Sequence, residues 1–122
     1  MNKQKNTSLL LTLVLIFTLS SFTHPTKANN YPKTDLEFLQ LPAYCSARMG
    51  HNPKIEPYWQ VKIGPQAFQH IHHLCSGLNG INKARVMSSK NPAYPRILRA
   101  ALGGIDYVLV RTDGTFILYS FM

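Results

Sequence analysis

Pro65-Gln66-Ala67-Phe68-Gln69-His70-Ile71-His72-His73-Leu74-Cys75-Ser76-Gly77-Leu78 reads as one amphipathic helix, and its reading decides the fold. Phe68, Ile71, Cys75 and Leu78 recur at helical spacing and so share a face. Leu74 and Ile81 widen it. Gly64 can serve as the N-cap, with Pro65 at the first helical position, where a missing N–H costs nothing. The pattern can run on to Val86. Gly77 and Gly80 weaken its far end, yet they leave room for a second helix to approach closely.

Working outward towards the C-terminus, residues 88–94 form a polar turn region, with Pro92 and Pro95 as punctuation. A second helix is predicted from about Pro95, because Ile97, Leu98, Ala101, Leu102, Ile105 and Leu109 again recur at three-and-four spacing. Gly103-Gly104 interrupts it, each glycine costing about 1 kcal/mol relative to alanine. Beyond it, Tyr107-Val108-Leu109-Val110 and Thr115-Phe116-Ile117-Leu118-Tyr119 flank Asp113-Gly114. Local propensity over residues 107–119 therefore spells a short β-hairpin. A lone hairpin is marginal in water, so it would have to pack on the helices.

Towards the N-terminus, residues 29–33 make a flexible, polar start. Thr34 with Glu37 three places on is a capping-box signal for a short helical turn, which Pro42 ends. Residues 43–49 suit one or two helical turns carrying Cys45, and residues 50–53 are loop. Pro57 is expected to keep the segment before Trp59 irregular. The fold class is mainly α: a helix pair with an irregular N-terminal segment, and Tyr44, Trp59 and Phe68 in its core.

The first residues have a different purpose. Lys3 and Lys5 precede an apolar run over residues 9–19, then a polar stretch ending Pro25-Thr26-Lys27-Ala28. That order is a secretory signal peptide over residues 1–28, cut after Ala28. The run is shorter than the roughly 20 residues of a membrane span, so no stable anchor is expected after cleavage. Residues 29–122 form one small domain, exported to the periplasm or secreted. Three of the thirteen basic residues leave with the leader, so the net charge falls from +8 to +5. The remaining cations are scattered without a dense run, which argues for solvated charge and against nucleic acid as a partner. In an oxidising compartment, Cys45 and Cys75 suit a disulfide better than two separate thiols. Closing that loop would stabilise the domain by about 3 to 4 kcal/mol.

His70, His72, His73 and Cys75 are the densest set of chemically capable side chains. Imidazole and thiolate suit zinc or copper. On a helix, however, His70 and His73 share one face while His72 points nearer Phe68 and Cys75, and real sites gather three or four ligands at one point. Structural histidines are the preferred reading; a periplasmic metal-binding protein using His70, His73 and Cys75 is the alternative. The chain holds only five acidic residues and no Gly-x-Ser-x-Gly, phosphate loop or Cys-x-x-Cys, so no enzyme and no cofactor are expected.

Leu41-Pro42-Ala43-Tyr44-Cys45-Ser46-Ala47-Arg48, Trp59, Ile63-Gly64 and Phe68 to Asn79 resemble the N-terminal region of exported proteobacterial tetratricopeptide-repeat (TPR) proteins. Arg96 to Leu109 matches that group more loosely. The resemblance implies helix through residue 109, and we take the helix to about Val110 over the hairpin, with the tail beyond residue 111 open. It implies tandem helical repeats downstream, and hence a member truncated before its array, with residues 115–122 lacking evolved structure. The expected function is that of a non-catalytic TPR-type scaffold or cap, contacting a protein partner or a second copy through a helix face it cannot bury alone. Leu98, Leu102 and Ile105 are expected to lie partly exposed. A truncated gene product without independent function is the further alternative.

Overall fold

The structure is a computed structural model and describes residues 29–116; the expected leader and most of the expected second hairpin strand lie outside those residues. Five α-helices and one 3-10 turn follow each other in the order α1 Asp35–Leu39, α2 Ala43–Arg48, the 3-10 turn Pro53–Ile55, α3 Glu56–Ile63, α4 Pro65–Val86 and α5 Tyr94–Arg111. No strand occurs among the described residues, and no described helix is long and apolar enough to cross a membrane.

The two long helices carry the fold. Gly77 lies against Ala101 and Ile105, and His73 against Gly104 and Tyr107, so rising numbers on α4 meet falling numbers on α5 and the pair is antiparallel. Backbones nearly touch there. A Cβ on Gly77 would stand 2.7 Å from the Ala101 carbonyl oxygen, and one on Gly104 2.7 Å from that of His73. Gly104 is therefore a contact point, and α5 runs through Gly103-Gly104 unbroken. The expected interruption does not occur, because the packing of the helix as a whole outweighs a propensity cost of about 1 kcal/mol per glycine.

Most of the expected face of α4 is buried: Phe68, Ile71, Leu74 and Cys75 form the core with Tyr44, Cys45 and Ala47 of α2, while Leu78 and Ile81 are half-buried. Half-buried Trp59 packs edge-on against Tyr44 at a centroid distance of 5.6 Å. Cys45 and Cys75 are joined in a disulfide within this core, their Cα atoms 5.6 Å apart. The bridge ties α2 to the middle of α4.

Three local results stand out. At α1, the Thr34 hydroxyl accepts from the Glu37 N–H while the Glu37 carboxylate accepts from the Thr34 N–H, completing the capping box. Around Pro57, the expected irregular segment is instead the regular helix α3. Proline sits in its first turn, where no intrahelical donor is needed, so it starts the helix rather than breaking it. Gly64, with φ 93°, makes the sharp turn from α3 into α4. A side-chain-bearing residue would be strained in that left-handed region.

The C-terminal hairpin is not formed at its first strand: residues 107–111 complete α5. Val108 is fully buried, and its carbonyl accepts the Thr112 hydroxyl at 2.9 Å. Asp113-Gly114 turns the chain, with the Asp113 carboxylate accepting from the N–H and hydroxyl of Thr115. Phe116 then enters the core at 1 % exposure. The expectation that structure is lost from residue 115 onward fails at that residue pair.

Candidate functional site

The histidines expected to be chemically interesting lie on the first half of α4, all three half-buried. His70 and His73 share a face, as the spacing requires. Both approach the Tyr107 ring of α5, at centroid distances of 5.8 and 4.1 Å. Arg111 covers the same ring, its guanidinium carbon 3.7 Å from the centroid. His72 turns toward α2, its Nδ1 2.9 Å from the Gln69 carbonyl oxygen, in a cleft with Tyr31, Phe38 and Arg48. Burial, then the adjoining His73 and Arg48, push the His72 pKa below its ordinary 6.5.

This arrangement packs helices together. Cys75 is bonded to Cys45 and cannot act as a thiolate ligand, which removes it from the expected His70/His73/Cys75 set. No group of three or more His, Cys, Asp or Glu side chains among the described residues converges on a point that could hold a metal. The same bridge rules out Cys75 as a nucleophile.

A second cluster was invisible to sequence reasoning. Asn79, 1 % exposed, donates from Nδ2 to the Asn30 carbonyl oxygen at 2.9 Å and to Glu37 Oε1 at 3.3 Å. Asn30 in turn donates to the Ile97 carbonyl oxygen of α5 at 3.1 Å. Glu37 also pairs with Lys83 at 2.9 Å. The Lys83 bond, then the Lys33 N–H and the Asn79 amide, hold the Glu37 carboxyl down at about 2. The one trace of it in the sequence is Asn79 itself, a polar residue between small and apolar helix positions, which the periodicity reading passed over.

The third feature is the outer face of α5. Leu102, Leu109 and Val110 are 53, 47 and 74 % exposed, and Leu98 and Ile105 are half-buried, as expected for Leu98, Leu102 and Ile105. Between α4, α5 and the N-terminal segment of chain lies a cleft of about 720 Å³, bordered by Tyr31, His73, Ser76, Gly103 and Tyr107. It is open and holds no cluster of acid–base groups. No protein-family model, curated protein or solved structure matches the chain.

Proposed function

We propose that this chain is an exported, non-catalytic helical module that acts through protein contacts, in the manner of the capping end of a TPR array. The observation that carries the proposal is α5: a helix locked to α4 on one side and presenting Leu102, Leu109 and Val110 to water on the other. Isolated exposed apolar residues are ordinary, but several on one helix face mark an interaction surface. The disulfide and the short apolar run over residues 9–19 support export to an oxidising compartment. The tight α4–α5 crossing supports the helix–turn–helix unit expected of a repeat cap.

The test combines sedimentation with hydrophobic-dye binding on the purified, oxidised chain. Dye binding that is lost on Leu102→Lys and Val110→Lys, or self-association, is the expected result. A stable monomer without dye binding overturns the proposal.

A further inference from the structure

We infer that the outer face of α5 is built to meet a second copy of itself in an antiparallel crossing centred on Leu102 and Gly103. The inference rests on the interaction-module reading and names its partner. Three observations on that face lead to it.

The first is Gly103. A Cβ at this position would meet nothing within 4 Å, whereas Gly77, Gly80 and Gly104 are each hemmed in by neighbours. Gly103 is therefore a helix-interior glycine whose destabilising effect no contact among the described residues offsets. A notch beside Leu102 is useful only to something arriving from outside. The second is the apolar content of the face: Leu102, Leu109 and Val110 stand in water where an exposed helix face ordinarily carries polar side chains.

The third decides the occupant. Arg99 and Asp106 lie on the same exposed face, and neither forms an ion pair with another described residue. They sit at equal distances in sequence on either side of the Leu102–Gly103 step. A two-fold axis through that step sets Leu102 of each copy into the Gly103 notch of the other, and Arg99 of each copy opposite Asp106 of the other. Such a surface is self-complementary, as a two-fold interface requires. A parallel or unrelated partner would gain nothing from this symmetry. One eighteen-residue helix per copy is a small interface beside the roughly 1,200 to 2,000 Å² of a standard one, so the dimer is weak and concentration-dependent.

The test is sedimentation equilibrium of the oxidised chain across micromolar to millimolar concentration. A reversible monomer–dimer equilibrium is expected. Gly103→Leu should weaken it at least tenfold while leaving the monomer folded by circular dichroism, since the space is open. Arg99→Asp and Asp106→Arg should each abolish self-association, yet the two variants mixed should pair with each other. That cross-pairing has no explanation in a merely structural role.

A dimer indifferent to all three substitutions overturns the inference. So does a monomer that still binds dye through Leu102, which leaves the interaction reading standing with a different partner. A monomer that binds dye only after removal of residues 117–122 also overturns it, in favour of the chain's own tail. A monomer that binds no dye under any condition sinks both.

Discussion

The buried amide of Asn79 holds the backbone carbonyl of Asn30 at 2.9 Å, across 49 residues of chain. Through it the first described residues are stitched between the two long helices, because Asn30 reaches on to the Ile97 carbonyl of α5. Asn79→Ala would leave that carbonyl without its donor inside the protein. An unsatisfied buried group costs about 1 to 3 kcal/mol, so urea unfolding should show a loss in that range. Asn30→Ala, which removes the bond to α5, should lose about 1 kcal/mol.

The glycines of α4 and α5 should separate cleanly in a melting experiment. Gly77→Ala and Gly104→Ala drive a methyl group into backbone oxygens 2.7 Å away, so the helices must part and stability should fall by about 1 to 3 kcal/mol. Gly103→Ala meets nothing and should raise monomer stability by up to about 1 kcal/mol. Equal effects at the three sites would contradict the packing described.

Acid should weaken the fold in two stages. His72 binds its proton less readily folded than unfolded, so stability declines as pH drops below 6.5. Glu37 is held at about 2 against an ordinary 4.5, so its stabilisation is full above 4.5 and vanishes as pH falls towards 2. His72→Gln should remove the first decline in melting temperature and Glu37→Gln the second. A flat profile from neutral pH to pH 3 would refute both assignments.

Replacing both half-cystines, Cys45→Ala with Cys75→Ala, should lower unfolding free energy by about 3 to 4 kcal/mol. Denaturant titration of the variant beside the oxidised parent measures it directly. A loss below about 1 kcal/mol would mean that the unfolded chain gains little freedom when the link is cut.

Expression of the whole chain in a Gram-negative host should yield a product beginning at Asn29, with no titratable thiol. Intact mass and thiol labelling read both at once. An unprocessed, reduced product in the cytosol would remove the case for export.

Much of this fold is written in local signals. The face of α4 follows from Phe68, Ile71 and Cys75, and α1 from Thr34 and Glu37, because each depends on neighbours within a turn or two. Where an effect depended on distant partners, local reading faltered. Pro57 carries opposite meanings at the start and in the middle of a helix, and only the turn Pro53–Ile55 before it settles which applies. Gly104 reads as a breaker until the His73 carbonyl is seen against it. Tyr107 and Val108 read as strand on propensity, yet the contact with α4 makes them helix. For the site, the histidine run drew attention because it is contiguous, whereas Asn30 and Asn79 are separated by half the domain. The exposed side of α5 was partly legible: the expectation covered Leu98, Leu102 and Ile105, but not Val110, its most exposed apolar residue.

The link between residues 45 and 75 encloses α2, α3 and the first half of α4 in a covalent ring, and leaves α5 outside it as a pendant arm. Any opening short of complete unfolding therefore has a preferred place to begin: the arm can swing away while the ring stays shut. Backbone amides of α5 should accordingly exchange with deuterium sooner than those of α4 around Cys75. The helix proposed to meet a partner is thus one that the covalent ring leaves outside.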